Sequence, residues 1–319
     1  MTIAQTLKLA AEKLSKAKIK LPHLEAEILL SGIINRPREF LLAHGEKKLT
    51  ESQISNFQFK ISWRLKGEPA AYLTGQKEFY GLNFLVNKNV LIPRPETELM
   101  VEETIKLITR NWRLGIRLPF LTDPKQNEQP LTIIDLGAGS GCIIISLIKN
   151  LITKFPISNF QFLAIDISKP ALSVAKRNAR AHNVNKKIQF INGDLLSPLI
   201  HSSLAADSLI ILANLPYGRK AWKNNCSLHT VGLKFEPEIA LFTSKGGLAL
   251  YERLFKQIKK IKMAAGSYVL GEFDPRQTKL LKTLLKKYFP GAKFEIKKDL
   301  AGLNRLFILT FDQLISPKS

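Results

Sequence analysis

Hydrophobic residues recur along the chain with two different periods, and the change of period divides the chain into parts. Between residues 2 and 66 apolar side chains return every three or four positions, which predicts a small bundle of four or five helices. Thr50 followed by Gln53 has the spacing of a capping box that opens the last long helix. Residues 70–95 instead alternate around Gly81, as a short β-hairpin does.

After Pro130, short apolar runs alternate with amphipathic helical segments. The runs occupy residues 131–139, 160–168, 187–196, 208–213, 267–274, 293–302 and 304–312. Repeated strand and helix units predict an α/β protein with a doubly wound parallel sheet and right-handed crossovers. The last two runs are joined by Ala301-Gly302, which predicts an antiparallel strand at one edge. The polar stretch between Arg113 and Pro130 indicates a linker.

One apolar run ends abruptly in a polar turn. Leu209–Ala213 is apolar throughout and is followed by Asn214, Leu215, Pro216 and Tyr217. In open parallel sheets ligands bind beyond the carboxyl ends of the strands, so we expect chemistry at this turn. The Asn214 side chain and the Leu215 backbone each offer a C=O acceptor and Tyr217 offers a flat apolar wall, which together suit a planar NH2 group. By itself such a tetrapeptide is more often an ordinary turn.

Size and composition limit the class of protein. The chain has 319 residues, of which 45% are hydrophobic and 23% charged, as in an ordinary globular protein of two domains. No run of 18 apolar residues and no signal-peptide pattern occurs, and two cysteines are too few for a disulfide framework. We therefore expect a cytoplasmic protein without a membrane span. The five histidines do not pair at metal-ligand spacing, so no metal is expected.

The formal net charge is +22. Such an excess favours an acidic or nucleic-acid-associated partner, because it accelerates encounter with anions. Lysines at helical spacing opposite apolar residues, as around Lys256 and Lys260, equally indicate ordinary solvated helix faces.

A glycine turn follows the first strand of the alternating region. Gly137, Gly139 and Gly141 let the backbone pass close to a ligand, and the helix that begins there attracts a polar group. Asp166 ends the next strand, in the place where an acidic residue binds ribose hydroxyls. The two features together predict a ribose-containing ligand. A nicotinamide or other nucleotide site remains an alternative at this point.

The spacing G-x-G-x-G after Asp135 resembles the first motif of S-adenosylmethionine-dependent methyltransferases. Together with Asn214 to Tyr217, further stretches resemble the family of peptide chain release factor N5-glutamine methyltransferases. These stretches are AAYLTG (70–75), GQKEFYGL (75–82), IPRPETE (92–98), FEPEIAL (235–241) and DLAG (299–302). The family usually has a second proline in the tetrapeptide, where this chain has Leu215. Because the useful group there is the backbone C=O and Pro216 still favours an extended Leu215, the exchange is compatible with the same chemistry.

The resemblance implies a Rossmann-like class I methyltransferase domain, with a mostly parallel seven-stranded sheet and an antiparallel edge strand. A small all-helical N-terminal bundle and a β-hairpin joint precede that domain. The implied boundaries are 1–68 for a helical substrate-docking domain, 69–96 for the hairpin linker and 97–319 for the methyltransferase domain.

The resemblance also implies the reaction, a methyl transfer from S-adenosylmethionine to the side-chain N5 of a glutamine, with S-adenosylhomocysteine as product. The implied partner is a peptide chain release factor, through the glutamine of its Gly-Gly-Gln motif, and nucleic acid is not expected as substrate. The implied donor-binding residues are Gly137, Ala138, Gly139, Ser140, Gly141, Asp166, Leu195 and Asn214. The implied catalytic and substrate-binding residues are Asn214, Leu215, Pro216 and Tyr217.

Two other functions remain open on the sequence alone. An adenine-N6 methyltransferase acting on RNA or DNA would share the Asn214 chemistry and would account for the charge, but it does not predict IPRPETE. A non-catalytic binding module on the same fold would have no need of the glycines, Asp166 and Asn214 together. Arg94, Glu96, Glu98 and Glu236 could line the pocket or hold the joint, and 219–225 is expected to form a flap over the site.

Overall fold

The computed structural model of the protein describes residues 1–113, 130–200, 208–218, 228–261 and 263–312. The predicted linker between Arg113 and Pro130, the predicted flap at 219–225 and Cys226 lie outside these ranges. Within them, none of the helices combines the length and the apolar character needed to cross a membrane.

The first part of the chain is a bundle of five helices. Four of them lie within residues 2–66, where the periodicity predicts four or five. The prediction of extended structure from residue 70 onward is wrong for 70–74, because Ala70 and Leu73, three positions apart, pack on the core of the bundle as one helical turn. The helices are α1 (Ile3–Lys16), α2 (Pro22–Ile34), α3 (Arg38–Ala43), α4 (Glu51–Leu65) and α5 (Ala70–Thr74). Their apolar faces enclose a core of their own that includes Leu14, Leu29 and Phe57. The predicted capping box of α4 is present, because Thr50 and Gln53 each donate their backbone N–H to the other's side chain, at 3.0 and 3.2 Å.

A hairpin and one long helix connect the bundle to the rest of the protein. Strands β1 (Gln76–Phe79) and β2 (Leu82–Leu85) pair antiparallel, and α6 spans Glu98–Arg113. The Glu98 carboxylate accepts the backbone N–H of Tyr80 at 2.9 Å, which fixes the tip of the hairpin to the start of α6.

The second part is a mixed, mostly parallel sheet covered by helices. In chain order its elements are β3 (Leu131–Leu136), α7 (Cys142–Leu151), β4 (Phe160–Asp166), α8 (Lys169–Ala181), β5 (Ile188–Asn192), β6 (Leu209–Ala213), α9 (Glu238–Leu241), α10 (Ala249–Ile258), β7 (Ser267–Glu272), α11 (Thr278–Tyr288), β8 (Lys293–Lys298) and β9 (Asn304–Phe311). The seven strands are ordered β5-β4-β3-β6-β7-β9-β8. This is the predicted Rossmann-like architecture, and the reversed strand is β9, one position inside the edge strand β8.

Strand β6 lies at the centre of the sheet and is covered on both faces. Ile210 and Leu212 belong to the core formed with α6 and α7, whereas Leu209, Ile211 and Ala213 belong to the core formed with α10 and α11. Burial on both sides is why the strand is apolar at every position instead of alternating. The uninterrupted run in the sequence therefore marks the middle of the sheet.

Asn178 on α8 joins three parts of the fold. Its side chain is fully buried, accepts the backbone N–H of Leu85 at 2.7 Å, and donates to the backbone C=O of Leu85 at 3.0 Å and of Ser140 at 2.9 Å. One amide thus holds the hairpin and the glycine turn against the same helix.

We expect Asn178→Ala to lower the free energy of unfolding by about 2–4 kcal/mol, because three backbone groups that are buried or part-buried lose their hydrogen bonds to this side chain. Urea unfolding monitored by circular dichroism measures the change. Asn150→Ala is the matched control, because that side chain is half-buried and, among the described residues, bonds only to Ser146 of its own helix. A loss at Asn178 no larger than that at Asn150 would contradict the proposed role.

Candidate active site

The carboxyl ends of three neighbouring strands open onto one cavity. In the register of the sheet, Leu136 of β3 lies beside Ile165 of β4 and Ala213 of β6, so the loops that follow these residues are adjacent. Residues predicted from the sequence that line this site cavity are Gly137, Ala138, Gly139, Ser140, Asp166, Leu195, Asn214, Leu215 and Pro216. Gly141 and Tyr217 are not among the described residues that line it. The sheet topology therefore brings most of the predicted site together.

The glycine turn has a backbone shape that favours glycine for two different reasons. Gly137, Gly139 and Gly141 have φ angles of +70°, +54° and +78°, which side chains of L-residues rarely adopt. A Cβ at Gly141 would also lie 3.1 Å from Ile145 and 3.2 Å from Ala175, whereas one at Gly139 would meet no atom closer than 3.8 Å. Crowding thus fixes the end of the turn, and its middle remains open to the cavity.

Asp166 ends β4 and holds the glycine turn. Its two carboxylate oxygens accept the backbone N–H of Gly139 at 2.9 Å and of Ser168 at 2.8 Å. Burial raises the pKa of this carboxyl, and these two N–H groups oppose the rise. Each oxygen has a second lone pair, so the side chain can also accept hydroxyl donors from a ligand in the cavity.

Asp135 lies behind the cavity and is completely buried. Burial raises the pKa of its carboxyl to about 7, and the negative charge of Asp166 adds to this, while the Ile144 backbone N–H opposes it. Unlike Asp166, it is not among the described residues that line the cavity. Neither carboxylate oxygen of Asp135 has a partner at hydrogen-bond geometry among the described residues, so the side chain that holds the glycine turn is Asp166 and not Asp135.

The turn after β6 carries the predicted acceptors. The Asn214 side-chain NH2 donates to the hydroxyl of Thr97 at 2.9 Å, and among the described residues no donor reaches its Oδ1. Leu215 is buried, and Pro216 lines the cavity beside it. The side chain of Asn214 is therefore held at its NH2 end and leaves its C=O for other partners.

Tyr217, predicted to form a flat wall of the site, is held by hydrogen bonds at its phenol and at its backbone. Its phenol donates to the Glu272 carboxylate at 2.9 Å, and its backbone C=O accepts from the Gln277 side chain at 2.8 Å. Gly247 packs so closely against this residue that a Cβ there would lie 2.1 Å from the Tyr217 carbonyl oxygen. The end of the turn is thus fixed from outside the cavity.

The joint before α6 forms one wall of the cavity. The Arg94 guanidinium donates to the Glu236 carboxylate at 2.6 Å, and the same carboxylate accepts the backbone N–H of Ile92 at 3.1 Å. Arg94 lines the cavity, Glu96 is exposed, and Glu98 belongs to the hairpin contact described above. Of the two roles that the sequence leaves open, Arg94 lines the cavity, whereas Glu98 and Glu236 hold the joint through their hydrogen bonds.

Leu195 and Asp194 follow β5 on the opposite side of the cavity. Both line it, and Leu195 has a φ of +53°. The Asp194 carboxylate pairs with Arg253 of α10, which also lines the cavity. This side of the site combines an apolar wall with an ion pair.

Sequence reasoning missed Thr97, Arg253 and Glu272. A signal for Glu272 exists, because it is an acidic residue at the carboxyl end of a buried strand, as Asp166 is. In the part of the chain that the structure describes, no three His, Cys, Asp or Glu side chains are grouped so that they could hold a metal ion.

Comparison with known proteins agrees with this architecture. A model of the PrmC N-terminal domain matches residues 5–75, and a model of a methyltransferase domain matches residues 127–271. The release factor glutamine methyltransferase of Staphylococcus aureus is 33% identical over 281 residues, which cover 88% of this chain and 90% of that protein.

A bifunctional methyltransferase of Rickettsia typhi is 38% identical over 271 residues, which cover 84% of this chain. The chain spans 50–58% of the length of the Rickettsia bifunctional methyltransferases that it matches. Among solved structures, the catalytic domain of human METTL16 in complex with hairpin 6 of the MAT2A 3′UTR has a TM-score of 0.51 at 14% identity, covering 84% of this chain and 85% of that one. At this identity the likeness concerns the fold alone.

The pKa of Asp135 predicts how stability depends on pH. Its value of about 7 in the folded protein exceeds the ordinary 3.8, so folding takes up a proton between these pH values and stability falls as the pH rises through them. Asp135→Asn removes this penalty, so the melting temperature of the variant relative to the unaltered protein should rise from pH 5 to neutrality and then level off. Differential scanning calorimetry across this range measures the difference. A difference that does not change with pH would contradict the assignment.

Proposed function

Because the chain belongs to the release factor glutamine methyltransferase family, we propose that it transfers a methyl group from S-adenosylmethionine to the side-chain N5 of a glutamine. The proposed substrate is the glutamine of the Gly-Gly-Gln motif in peptide chain release factors. The observation that carries the proposal is that a glycine turn, a buried acidic residue and an asparagine-led turn share one cavity. These are the parts that a methyl donor and an amide acceptor need at close distance.

The residues of the glycine turn and Asp166 fit the donor. Gly137 to Gly141 allow close approach of the ligand to backbone N–H groups at the start of α7, and each Asp166 oxygen has a lone pair left for the ribose hydroxyls. Leu195 supplies an apolar surface for the adenine. When bound, the donor supplies a methyl group on a positively charged sulfonium, which is electrophilic without further activation.

The turn after β6 fits the acceptor. An amide nitrogen is a poor nucleophile because its lone pair is delocalised into the carbonyl group. Asn214 Oδ1 and the Leu215 backbone C=O would each accept a hydrogen bond from one of its two N–H groups. These bonds would direct the nitrogen lone pair toward the methyl group and increase the electron density on nitrogen. The N–C bond would form as the methyl group leaves the sulfonium sulfur, and the methylated nitrogen, then positively charged and acidic, would release its proton to solvent. Stacking of Tyr217 on the amide plane stays a prediction, since the structure ties its phenol to Glu272.

We further propose that residues 1–68 dock the protein substrate. The bundle exposes large apolar side chains, among them Leu42 at 66% and Phe59 at 63% of their surface. Burial of such side chains against a partner protein would contribute to docking, at about 25 cal/mol for each Å² of apolar surface removed from water. Docking at a distance would let a narrow catalytic cavity select a single unbranched side chain.

The function is tested by incubating the protein with S-adenosylmethionine and a release factor and locating the modification by mass spectrometry. We expect a single added methyl on the Gly-Gly-Gln glutamine. Asn214→Ala should slow this step about a hundredfold, because one acceptor aimed at the transition state is lost, with the donor affinity nearly unchanged. Methylation of naked RNA or DNA and none of the release factor would support the adenine alternative. Donor binding without any methylation would support a binding module.

The donor site is tested separately at Asp166. Asp166→Ala should weaken binding of S-adenosylhomocysteine by about 1.5–3 kcal/mol, because charge-assisted hydrogen bonds to two hydroxyls are lost. Isothermal titration calorimetry measures the affinity, and Asp312→Ala, at the exposed residue directly after β9, is the control. Unchanged binding at position 166 would remove this residue from the donor site.

A further inference from the structure

We propose that Glu272 and Thr97 are positioning residues that fix the direction of the Asn214 side-chain amide, through a chain of hydrogen bonds from Glu272 to Thr97 to Asn214. The inference rests on the function proposed above and adds two residues to its machinery. It also gives a role to the threonine of IPRPETE, which the proposed reaction leaves unused.

The hydrogen-bond chain is short and enclosed. The Thr97 hydroxyl donates to Glu272 Oε2 at 2.7 Å, and the Asn214 NH2 donates to Thr97 Oγ1 at 2.9 Å. Thr97 and Glu272 are 2% and 1% exposed. Competing water is therefore largely excluded from both, and each bond has a defined partner.

The direction of the amide follows from how many protons these groups have. A carboxylate only accepts, so Thr97 must commit its single hydroxyl proton to Glu272. Its oxygen then offers only lone pairs to Asn214, and these pair with an NH2 group and repel a C=O group. Rotating the Asn214 amide by half a turn would place oxygen against oxygen. The chain therefore turns Oδ1 away from Thr97, toward the cavity that Asn214 lines.

The two orientations of an asparagine amide have nearly the same shape. Without this hydrogen-bond chain, packing alone would not favour one orientation over the other. In the reversed orientation an NH2 group would face the substrate NH2, and the acceptor that the reaction needs would be missing. Orientation of one amide thus decides whether the site can hold its substrate productively.

Glu272 itself is held from several sides. Its second oxygen, Oε1, accepts the Tyr217 phenol at 2.9 Å, which connects the same carboxylate to the end of the Asn214 turn. The single hydroxyl proton of Tyr251 is shared between the backbone C=O of Ala213 at 2.7 Å and that of Glu272 at 2.5 Å, which links the ends of β6 and β7. Burial raises the pKa of Glu272, whereas the Thr97 and Tyr217 hydroxyls and the positive charge of Arg305 lower it.

A threonine series tests the inference. Thr97→Val replaces the hydroxyl with a methyl group of similar size and should lower kcat for glutamine methylation about tenfold, the equivalent of one oriented hydrogen bond. Thr97→Ser keeps the hydroxyl and should restore most of the turnover. Thr104→Val is the matched control on α6, because within the described part of the chain that buried hydroxyl bonds only to the Met100 backbone of its own helix. Glu272→Gln should also lower kcat, since its NH2 must face one of the two hydroxyls.

A second measurement does not depend on the reaction. In protein labelled with 15N-asparagine, the Asn214 NH2 should exchange slowly with solvent, and Thr97→Val should accelerate this exchange. Equal kcat for Thr97→Val and Thr104→Val would overturn the inference, and equal loss in Thr97→Val and Thr97→Ser would show a packing role instead. If the unaltered protein methylates no glutamine, the proposed function fails, and the exchange measurement still tests the hydrogen-bond chain.

Discussion

The Asp166 carboxylate is the interaction on which the shape of the site depends. At the carboxyl edge of a parallel sheet, the chain leaves the ladder and its backbone N–H groups lose their strand partners. Asp166 accepts two of them, one from the glycine turn after β3 and one from the start of α8. A buried carboxylate is unfavourable unless it is hydrogen-bonded, so the charge and the two loops stabilise one another. The backbone of the same residue accepts from Asn192, which adds the end of β5 to the arrangement.

The reversed strand β9 also stabilises a buried acidic residue, Glu272 at the end of the neighbouring strand β7. Because β9 runs antiparallel to β7, Leu306 pairs with Glu272 and Arg305 bonds through its backbone to Phe273. The guanidinium of Arg305 pairs with Asp299 and lies close enough to lower the pKa of Glu272. The closing strand pair therefore does more than cover the sheet edge, since it brings a positive charge toward a buried acid.

The features that could be predicted from the sequence are those that depend on neighbours in the chain. The apolar run of β6, the capping box at Thr50 and the turn between β3 and α7 each carry their own local pattern. Parallel strands all end at the same edge of the sheet, because each crossover carries the chain back to the edge where strands begin. This topology places Gly137, Asp166 and Asn214 together at the carboxyl edge. For these reasons the architecture and most of the predicted residues that line the cavity could be inferred from the sequence.

Partners of buried polar groups could not be predicted in the same way. Thr97 and Glu272 are 175 residues apart, and Asn178 and Leu85 are 93 apart. A sequence shows that such a residue can donate or accept, and only tertiary packing decides to whom. Tyr217 illustrates this, because its phenol donates to Glu272, which lies 55 residues away in the sequence.

The contact between Leu215 and Gly137 limits how this pocket can be altered. A Cβ added to Gly137 would lie 3.6 Å from Leu215 Cδ2, so the side chain that replaces the family's proline rests on the turn that the donor would occupy. A Cβ at position 137 would fit at ordinary contact distance, whereas a larger side chain there would meet Leu215, so the sizes of the two residues are linked. The effects of substitutions at these two positions are therefore expected to be non-additive. To reshape the pocket for another acceptor, residues 137 and 215 have to be changed together and not one at a time.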